Sequence, residues 1–209
     1  MLINCDKTKE MVVSMGRKTR ALPPLSVEET EIERVDEAKL LGVVFSKTLG
    51  WDAHVKYLCN KASKRLYFLT LLKRAAVSPG DIVNIFTTLI RSVLEYACEV
   101  WHPGLTQEQS NALEHVQRRA LSIVYPHLDY ERALSAAGLG RLSERREIAC
   151  RAFFQAMLVP SHKLHHLIPE RRTLAHDLRK RHAYYPVPSL RFKRTRRSLV
   201  NYGLSKFQM

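Results

Sequence analysis

The sequence predicts an α+β protein that is mainly α-helical. Residues 2–46 alternate short runs of β-forming residues with turn residues, whereas from residue 52 onward apolar residues recur at steps of three and four. The length of 209 residues is enough for one good core with an appendage, or for two small domains. We therefore expect a strand unit over 1–48, an amphipathic helical bundle over 49–158 and a basic, irregular extension over 159–209.

The strand unit is predicted from three segments. Residues 11–15 are rich in β-formers, and Pro23 and Pro24 exclude helix from the loop that follows. Residues 32–35 and 40–45 are predicted to pair as a hairpin, with its turn at Asp36 and Glu37 and its second strand largely buried. A sheet this small has exposed edges that further strands normally complete, so we do not expect it to stand alone.

The first two helices are predicted from an apolar stripe and a cap. Over residues 52–74 one face is apolar and the opposite face carries lysine and arginine. Ser78 is a capping residue and Pro79 fits a first turn, so a second helix is expected to begin here and continue to about Ala97. The inward residues of the first helix are Val55, Leu58, Ala62, Leu66, Leu69 and Leu72.

The later helices are predicted from their start and stop signals. Thr106 and Gln109 form a capping box for a helix that Pro126 ends, and a short helix follows over residues 130–137. Ser143 is expected to cap a further helix. The residues expected to face inward on that helix are Ile148, Ala149, Ala152, Phe153 and Ala156. Because every helix is short and amphipathic, we expect a compact bundle.

The positive charge is concentrated at the C-terminal end. Residues 141–209 contain 16 Lys and Arg against 4 Asp and Glu, whereas the first 140 residues contain 18 against 16. This distribution favours a polyanionic partner, with nucleic acid as the first candidate, although a solvated basic tail with no specific partner has the same composition.

The composition also limits which cellular compartments are expected for the protein. The apolar runs are short and interrupted by cations, so no membrane span is predicted, and no basic-then-apolar signal sequence is present. The four cysteines lie far apart without a CxxC pair, which is typical of reduced thiols. We expect a cytoplasmic or nuclear protein that is not secreted.

Several short motifs occur in a fixed order along nearly the whole chain. They are LINCDKTKEM (2–11), KLLGV (39–43), LGWDAHV (49–55), IRSVLEYA (90–97), VWHP (100–103), LEHVQRRAL (113–121), LSERR (142–146) and SLVNYGL (198–204). Their order and spacing resemble the late polymerase region of reverse transcriptases from non-LTR (LINE-like, jockey-type) retrotransposons. The resemblance implies the end of the palm, the thumb and a C-terminal extension.

The resemblance also implies roles for particular residues. The LLG hairpin of the family helps to hold the primer end, so Leu41 and Gly42 would be primer-grip positions, unless Gly42 simply permits a tight strand. A lysine of the opening motif lies near the incoming nucleotide in the family, which makes Lys7 or Lys9 a candidate to neutralise the leaving pyrophosphate. The alternative is an exposed lysine at a strand end.

Further cations are candidates for contact with the nucleic-acid backbone, as thumb helices make in the family. A solvated helix face commonly has the same composition. Binding is favoured by the excess of positive over negative charge. Contacts with the phosphate backbone also do not depend on the base sequence of the nucleic acid. The candidates are Lys61, Lys64, Arg65, Arg118, Arg119, Arg145 and Arg146.

The sequence departs from the family in its chemistry. The family's Tyr-x-Asp-Asp motif, whose carboxylates hold the two metal ions of phosphoryl transfer, occurs nowhere in the chain. The adjacent acidic pairs Glu28-Glu29 and Asp36-Glu37 lack the apolar flanks of a catalytic hairpin. We therefore expect a truncated polymerase with no activity of its own and no cofactor, since Mg²⁺ would belong to an upstream half of the palm.

Two other groups of residues are weaker candidates. Five histidines between His162 and His182 form a loose cluster after Cys150, but a zinc knuckle needs several closely spaced cysteines, so no metal is expected. Tyr184 and Tyr185 lie among basic residues and are candidates for base stacking, although the favoured explanation is a merely exposed tyrosine pair.

Two further interpretations remain open. The chain could be a stand-alone basic helical module that binds nucleic acid or another protein, or the product of a decayed reading frame. Salt dependence separates the first from a thumb-like fragment, because backbone binding weakens steeply with salt whereas a specific protein contact does not.

Overall fold

The computed structural model describes residues 4–14, 22–27, 29–171, 185–189 and 197–207. Short strands come first and helices follow, which confirms the predicted mainly α-helical α+β class. The strands are β1 (Lys9–Glu10), β2 (Ser26–Val27), β3 (Thr30–Glu31), β4 (Glu33–Arg34), β5 (Glu37–Leu40) and β6 (Val43–Ser46). The α-helices are α1 (Asp52–Arg74), α2 (Pro79–Ile85), α3 (Ser92–Glu95), α4 (Cys98–Trp101), α5 (Gln107–Val124), α6 (Tyr130–Ala137), α7 (Leu142–Met157) and α8 (Leu199–Lys206).

The strands pair two by two. β1 lies parallel to β4, and β2 is antiparallel to β3. The longest pair is the antiparallel hairpin β5–β6, in which Leu40 pairs with Val43. Its turn is therefore at Leu41 and Gly42, and the predicted turn at Asp36 and Glu37 is wrong. Residues 11–14 lie outside the strands, and the rest of the predicted 11–15 strand is outside the described residues.

α1 begins and ends as the sequence predicts, and it forms one wall of the main core. Its inward residues pack against α5, α2 and the hairpin strand β6. Core residues buried along α1 are Val55, Leu58, Ala62, Leu66 and Leu69, together with the polar His54. Each buried leucine or valine side chain of this set contributes about 1.5–3 kcal/mol by burial, so this stripe is a major source of stability.

The second predicted helix is continuous but irregular. Ser78 caps α2, as predicted, through its side-chain oxygen, which accepts from the backbone N–H of Asp81. The segment Phe86–Arg91 is π-helical and joins α2 to α3. Ala97 then has a φ of 49°, which ends this unit before α4.

The start of α5 agrees with the sequence prediction, whereas the start and the buried face of α7 do not. The capping box of Thr106 and Gln109 at the start of α5 is confirmed. α7, however, begins at Leu142, and Arg141 rather than Ser143 is its N-cap residue. The predicted inward face of α7 is also wrong, since Ile148 is exposed; the buried residues are Leu142, Arg146, Cys150, Phe154 and Met157.

The C-terminal helix α8 packs on α7 through a second, smaller core. Phe154 of α7 contacts Leu204 and Phe207 in this cluster. A Cβ at Gly203 would lie 2.2 Å from Cδ2 of Phe154, so only glycine allows the two helices to approach this closely. Part of the extension that the sequence predicts as irregular is thus a docked helix. No helix in the described part of the chain has both the length and the apolarity of a membrane span.

Candidate nucleic-acid interface

α1 has the largest excess of positive charge among the described helices. It contains six Lys and Arg and a single acid, Asp52 at its first position. In α5 and α6 the two signs balance, α7 has an excess of one cation, and the segment 79–95 has an excess of one acid. Asp52 is also engaged, because its Oδ1 accepts from Nε2 of Gln109 at 2.8 Å. The 22 residues of α1 after Asp52 therefore carry only positive charge.

The cations of α1 have different roles. Nζ of Lys73 donates to the carbonyl of Val124 at 3.0 Å, at the C-terminal end of α5, where a cation is favourable. Arg65 is half-buried and donates to the carbonyl of Leu89 in the π-helical segment. Lys61 and Lys64 are exposed and have no ion-pair partner within the described residues. These two lysines are thus available to a ligand.

The hairpin brings a further lysine to α1. Nζ of Lys39, on β5, donates to the hydroxyl of Tyr57 at 2.8 Å and lies 4.5 Å from the centre of its ring. Lys61 lies over the same ring at 5.7 Å. The hydrogen bond from Lys39 and the charges of the two lysines lower the pKa of the Tyr57 hydroxyl. Positive charge therefore runs from the hairpin along the outer side of α1.

A buried histidine fixes the hairpin on α1. The backbone N–H of Val44, on β6, donates to Nδ1 of His54 at 3.2 Å. The ring of His54 is fully buried and lies 5.5 Å from the ring of Trp101. Burial lowers the pKa of His54 to about 4, so the imidazole is neutral at pH 7 and can accept this hydrogen bond. The position of Lys39 beside Tyr57 therefore depends on a neutral His54.

The two predicted primer-grip residues form the tip of this hairpin. Leu41 has a φ of 47° and Gly42 a φ of 85°, as in a tight two-residue turn. The hydroxyl of Tyr96 donates to the carbonyl of Leu41 at 3.0 Å, which holds the tip against the end of α3. The side chain of Leu41 is 84% exposed, so it lies outside the core.

Replacing Gly42 by alanine is expected to lower the free energy of unfolding by about 1–2 kcal/mol. Gly42 has a positive φ, which becomes strained when the residue carries a Cβ. The added Cβ would also lie 3.0 Å from Cε1 of Tyr96. Gly80→Ala is the matched control, because a Cβ there meets nothing within 4 Å. The control should raise stability by about 0.5–1 kcal/mol. Urea unfolding measures both changes, and equal effects would contradict a strained turn at Gly42.

The other predicted cations lie on separate helices. Arg118 and Arg119 are exposed on α5, where the guanidinium of Arg118 lies 4.9 Å from the ring centre of Tyr130. Arg145 forms two hydrogen bonds with the carboxylate of Glu95, at 2.6 and 3.2 Å. No contact among the described residues joins these cations to the exposed lysines of α1.

For Arg146 the prediction of an external cation is wrong. Its side chain is 0% exposed. The guanidinium donates through Nε to Nδ1 of His102 at 3.3 Å and through Nη2 to Oγ of Ser110 at 3.1 Å. A charge enclosed in this way cannot contact a phosphate, so Arg146 belongs to the packing of α7.

Comparison with known proteins gives one informative match. The chain is 24% identical over 101 residues to a probable RNA-directed DNA polymerase from transposon X-element of Drosophila melanogaster. The aligned part is 47% of this chain and 11% of that polymerase, so the chain spans a small fraction of its relative. No protein-family model matches the chain, and no solved structure is significantly similar to it.

The chain thus contains a region related to a transposon RNA-directed DNA polymerase. This supports the coarser part of the resemblance found in the sequence motifs. The match shows relatedness alone and assigns no role to individual residues.

The two candidate lysines for phosphoryl-transfer chemistry lie at the start of the strand unit. Lys7 is exposed at the end of a 3₁₀ turn, Cys5–Lys7, and Lys9 forms an ion pair with Glu33. Within the described residues no three His, Cys, Asp or Glu side chains form a group that could hold a metal ion. His176, His182 and Tyr184 lie outside these residues.

The residues predicted from the sequence did not include the aromatic side chains of this candidate interface. Tyr57, Tyr67 and Phe68 lie on α1 beside its lysines, and Tyr67 and Phe68 are exposed. The signal was present, because Lys64, Tyr67, Phe68 and Leu71 follow the spacing i, i+3, i+4, i+7 of one helix face. That face lies outside the inward stripe. The interpretation of this face considered only its lysines and arginine and left its aromatic residues out.

Proposed function

We propose that this chain is the part of a non-LTR retrotransposon reverse transcriptase that binds the template–primer backbone, comprising the end of the palm and the thumb. The observation that carries this proposal is the charge of α1: six cations, one engaged acid and two exposed lysines without ion-pair partners in the described residues. The match to a transposon RNA-directed DNA polymerase supports the proposal of a nucleic acid as the partner.

Lysine on a helix face suits contact with a phosphate backbone. Its ammonium is a compact charge on a flexible stem, so it can follow a polyanion without reading bases. Lys39 and Lys61 both lie over the ring of Tyr57, and Lys64 follows Lys61 by three residues on α1. We propose these three lysines as the principal contact, with Arg65, Arg118, Arg119 and Arg145 as secondary cations.

The proposed role is binding without catalysis. The sequence has no Tyr-x-Asp-Asp motif, and the two-metal chemistry of phosphoryl transfer requires such carboxylates. In a complete polymerase the exposed tip at Leu41 and Gly42 would lie near the primer end, and Lys7 near the pyrophosphate. Mg²⁺ would be held by the other half of the palm. Membranes have no part in this proposal, which places the protein in the cytoplasm or nucleus.

The double variant Lys61→Gln, Lys64→Gln is expected to weaken binding to both duplex and single-stranded oligonucleotides. Each phosphate contact contributes a slope of about −0.9 to the dependence of log K on log salt for duplex DNA. The slope should therefore become less negative by nearly 2 in the variant. Fluorescence anisotropy with a labelled 20-base-pair duplex of random sequence, at several salt concentrations, measures this change.

The matched control removes two charges from another surface. Arg132 and Lys163 are exposed and lie on α6 and after α7, so the variant Arg132→Gln, Lys163→Gln has the same net charge as the test variant. We expect its salt slope to be close to that of the wild type. Equal slopes for the two double variants would show that only net charge matters and would contradict an α1 binding surface. Template-directed nucleotide incorporation by the wild type would contradict the non-catalytic role.

A second candidate function is a protein-interaction module. It is favoured by apolar side chains that are exposed at the hairpin tip and beyond it, namely Leu40, Leu41, Tyr96 and Val100. Exposed apolar patches of this kind commonly mark interaction sites. Two results together would favour this function over the first. The chain would bind another protein saturably, with an affinity that does not change with salt, and it would not bind the duplex.

A further inference from the structure

Two adjacent aromatic side chains are exposed on the outer side of α1. Tyr67 is 61% exposed and Phe68 is 56% exposed. Their ring centres are 6.5 Å apart and the ring planes are tilted by 57°. A phenylalanine more than half exposed in the middle of a 23-residue helix is costly, because it leaves apolar area in water.

The core does not explain these positions. The inward side of α1 is already filled by Leu66 and Leu69, which are fully buried on either side of the aromatic pair. Tyr67 and Phe68 have no partner in the core clusters of the described residues. Removing either ring would therefore leave the packing of the bundle intact.

The charge beside the pair indicates what could cover it. Lys64 lies three and four residues before Tyr67 and Phe68, so it is one helical turn away, with Cβ atoms roughly 5–6 Å apart. Lys61 lies one turn further back, and no acid occurs in α1 after Asp52. Exposed aromatic rings that follow a row of cations are the composition of surfaces that bind single-stranded nucleic acids. After Asp52, the charged residues of α1 on both sides of the pair are all cations, which suits a polyanion better than a protein surface of mixed charge.

We infer that Tyr67 and Phe68 form a stacking site for an unpaired base, with Lys61 and Lys64 holding the adjoining phosphates. This inference rests on the proposed function and deepens it, because a fully paired duplex offers only its phosphates to α1 along most of its length. A single strand, or a frayed end, can place a base on the rings. The partner class is thus a nucleic acid with unpaired bases, with no sequence preference, since every base has a π-face.

The test variant is Tyr67→Leu, Phe68→Leu. Leucine is a strong helix former and keeps an apolar side chain of moderate size, so the variant removes the rings without removing the helix. Stacking is worth about 1–3 kcal/mol per base, and 1.4 kcal/mol is a factor of ten. We expect affinity for a single-stranded 12-mer to fall about tenfold or more, whereas affinity for a blunt duplex falls less than twofold.

A direct probe of stacking accompanies the affinity measurement. A single strand containing 2-aminopurine should lose fluorescence on binding the wild type, because stacking on an aromatic ring quenches this base, and should keep its fluorescence with the leucine variant. Ile148→Ala is the control, since Ile148 is an apolar residue of α7 that is similarly exposed (66%) and has no part in the proposed binding surface. The Ile148 variant should quench the fluorescence as the wild type does. Circular dichroism melting checks that each variant is folded.

The outcomes separate the two proposals. If Lys61→Gln, Lys64→Gln weakens both ligands but the leucine variant weakens neither, or weakens both equally, the stacking site is overturned and the proposed function stands. If the lysine variant changes neither affinity, the proposed function itself fails. If the wild type self-associates, and the leucine variant is monomeric with unchanged single-strand affinity, the pair is a protein contact and the stacking site is overturned.

Discussion

Lowering the pH from 7 to 5 is expected to reduce the free energy of unfolding by about 4 kcal/mol through two histidines alone. His54 and His102 are held neutral in the folded protein, and the pKa of each is lowered to about 4. For both, burial is the main cause; at His102 the nearby charge of Arg146 acts in the same direction, while the carboxylate of Glu147 opposes it.

The sign follows from proton uptake. An unfolded histidine has a pKa near 6.5 and is largely protonated at pH 5, whereas the folded histidine with a pKa of about 4 is largely neutral. The unfolded state therefore binds more protons between pH 6.5 and 4, and stability falls as pH falls through this window. Each histidine contributes a loss of about 2 kcal/mol between pH 7 and 5, on this difference in pKa.

Urea unfolding at half-unit steps from pH 7.5 to 5 measures this dependence. In His54→Asn the amide oxygen can still accept from the N–H of Val44, so the hairpin contact is kept while one titrating group is lost. The pH dependence should fall by about half. His127→Asn is the control, since His127 is exposed, and it should keep the full dependence. An unchanged profile for the His54 variant would contradict a neutral, buried His54.

Much of the bundle was predictable because its local signals and its packing agree. The apolar stripe of α1, the cap at Ser78 and the capping box of α5 each depend on residues within four positions, and each is confirmed. The register of these helices follows from the same spacing. Local chemistry of this kind can be recognised in a single sequence.

The hairpin was misplaced because its turn is stabilised by a distant residue. Asp36 and Glu37 have ordinary turn composition, whereas Leu41 adopts a positive φ that is unusual for leucine. The hydrogen bond from Tyr96 to the carbonyl of Leu41 spans 55 residues. A contact so remote in sequence leaves no local pattern, although Gly42 was a usable signal for a turn.

The inward face of α7 was mispredicted for a related reason. The buried stripe includes Arg146, and a rule that places charges outside rotates the helix so that Ile148 is inward. Burial of an arginine requires polar partners from other helices, here His102 and Ser110. These partners lie 44 and 36 residues away in the sequence, so no local pattern indicates that Arg146 is buried. Arg146 was therefore included among the candidate binding cations, although its side chain is internal.

Arg146→Ala is expected to lower the free energy of unfolding by about 3 kcal/mol, whereas Arg146→Met should cost about 1 kcal/mol or less. Alanine deletes most of a large, fully buried side chain and leaves a cavity beside Trp101, whose ring centre is 5.8 Å from the guanidinium carbon. Methionine fills the space and removes a charge that burial disfavours, as the lowered pKa of Arg146 indicates. No ion pair of Arg146 is present within the described residues to offset that cost.

Urea unfolding of both variants separates volume from charge. If methionine is as destabilising as alanine, the hydrogen bonds to His102 and Ser110 hold the helices together, and the packing account is wrong. The methionine variant also tests the site, because a folded protein without Arg146 should keep the wild-type salt slope for duplex binding. It should lose less stability at low pH too, since Arg146 helps to hold the pKa of His102 down. A shallower salt slope in the methionine variant would mean that Arg146 contributes to nucleic-acid binding.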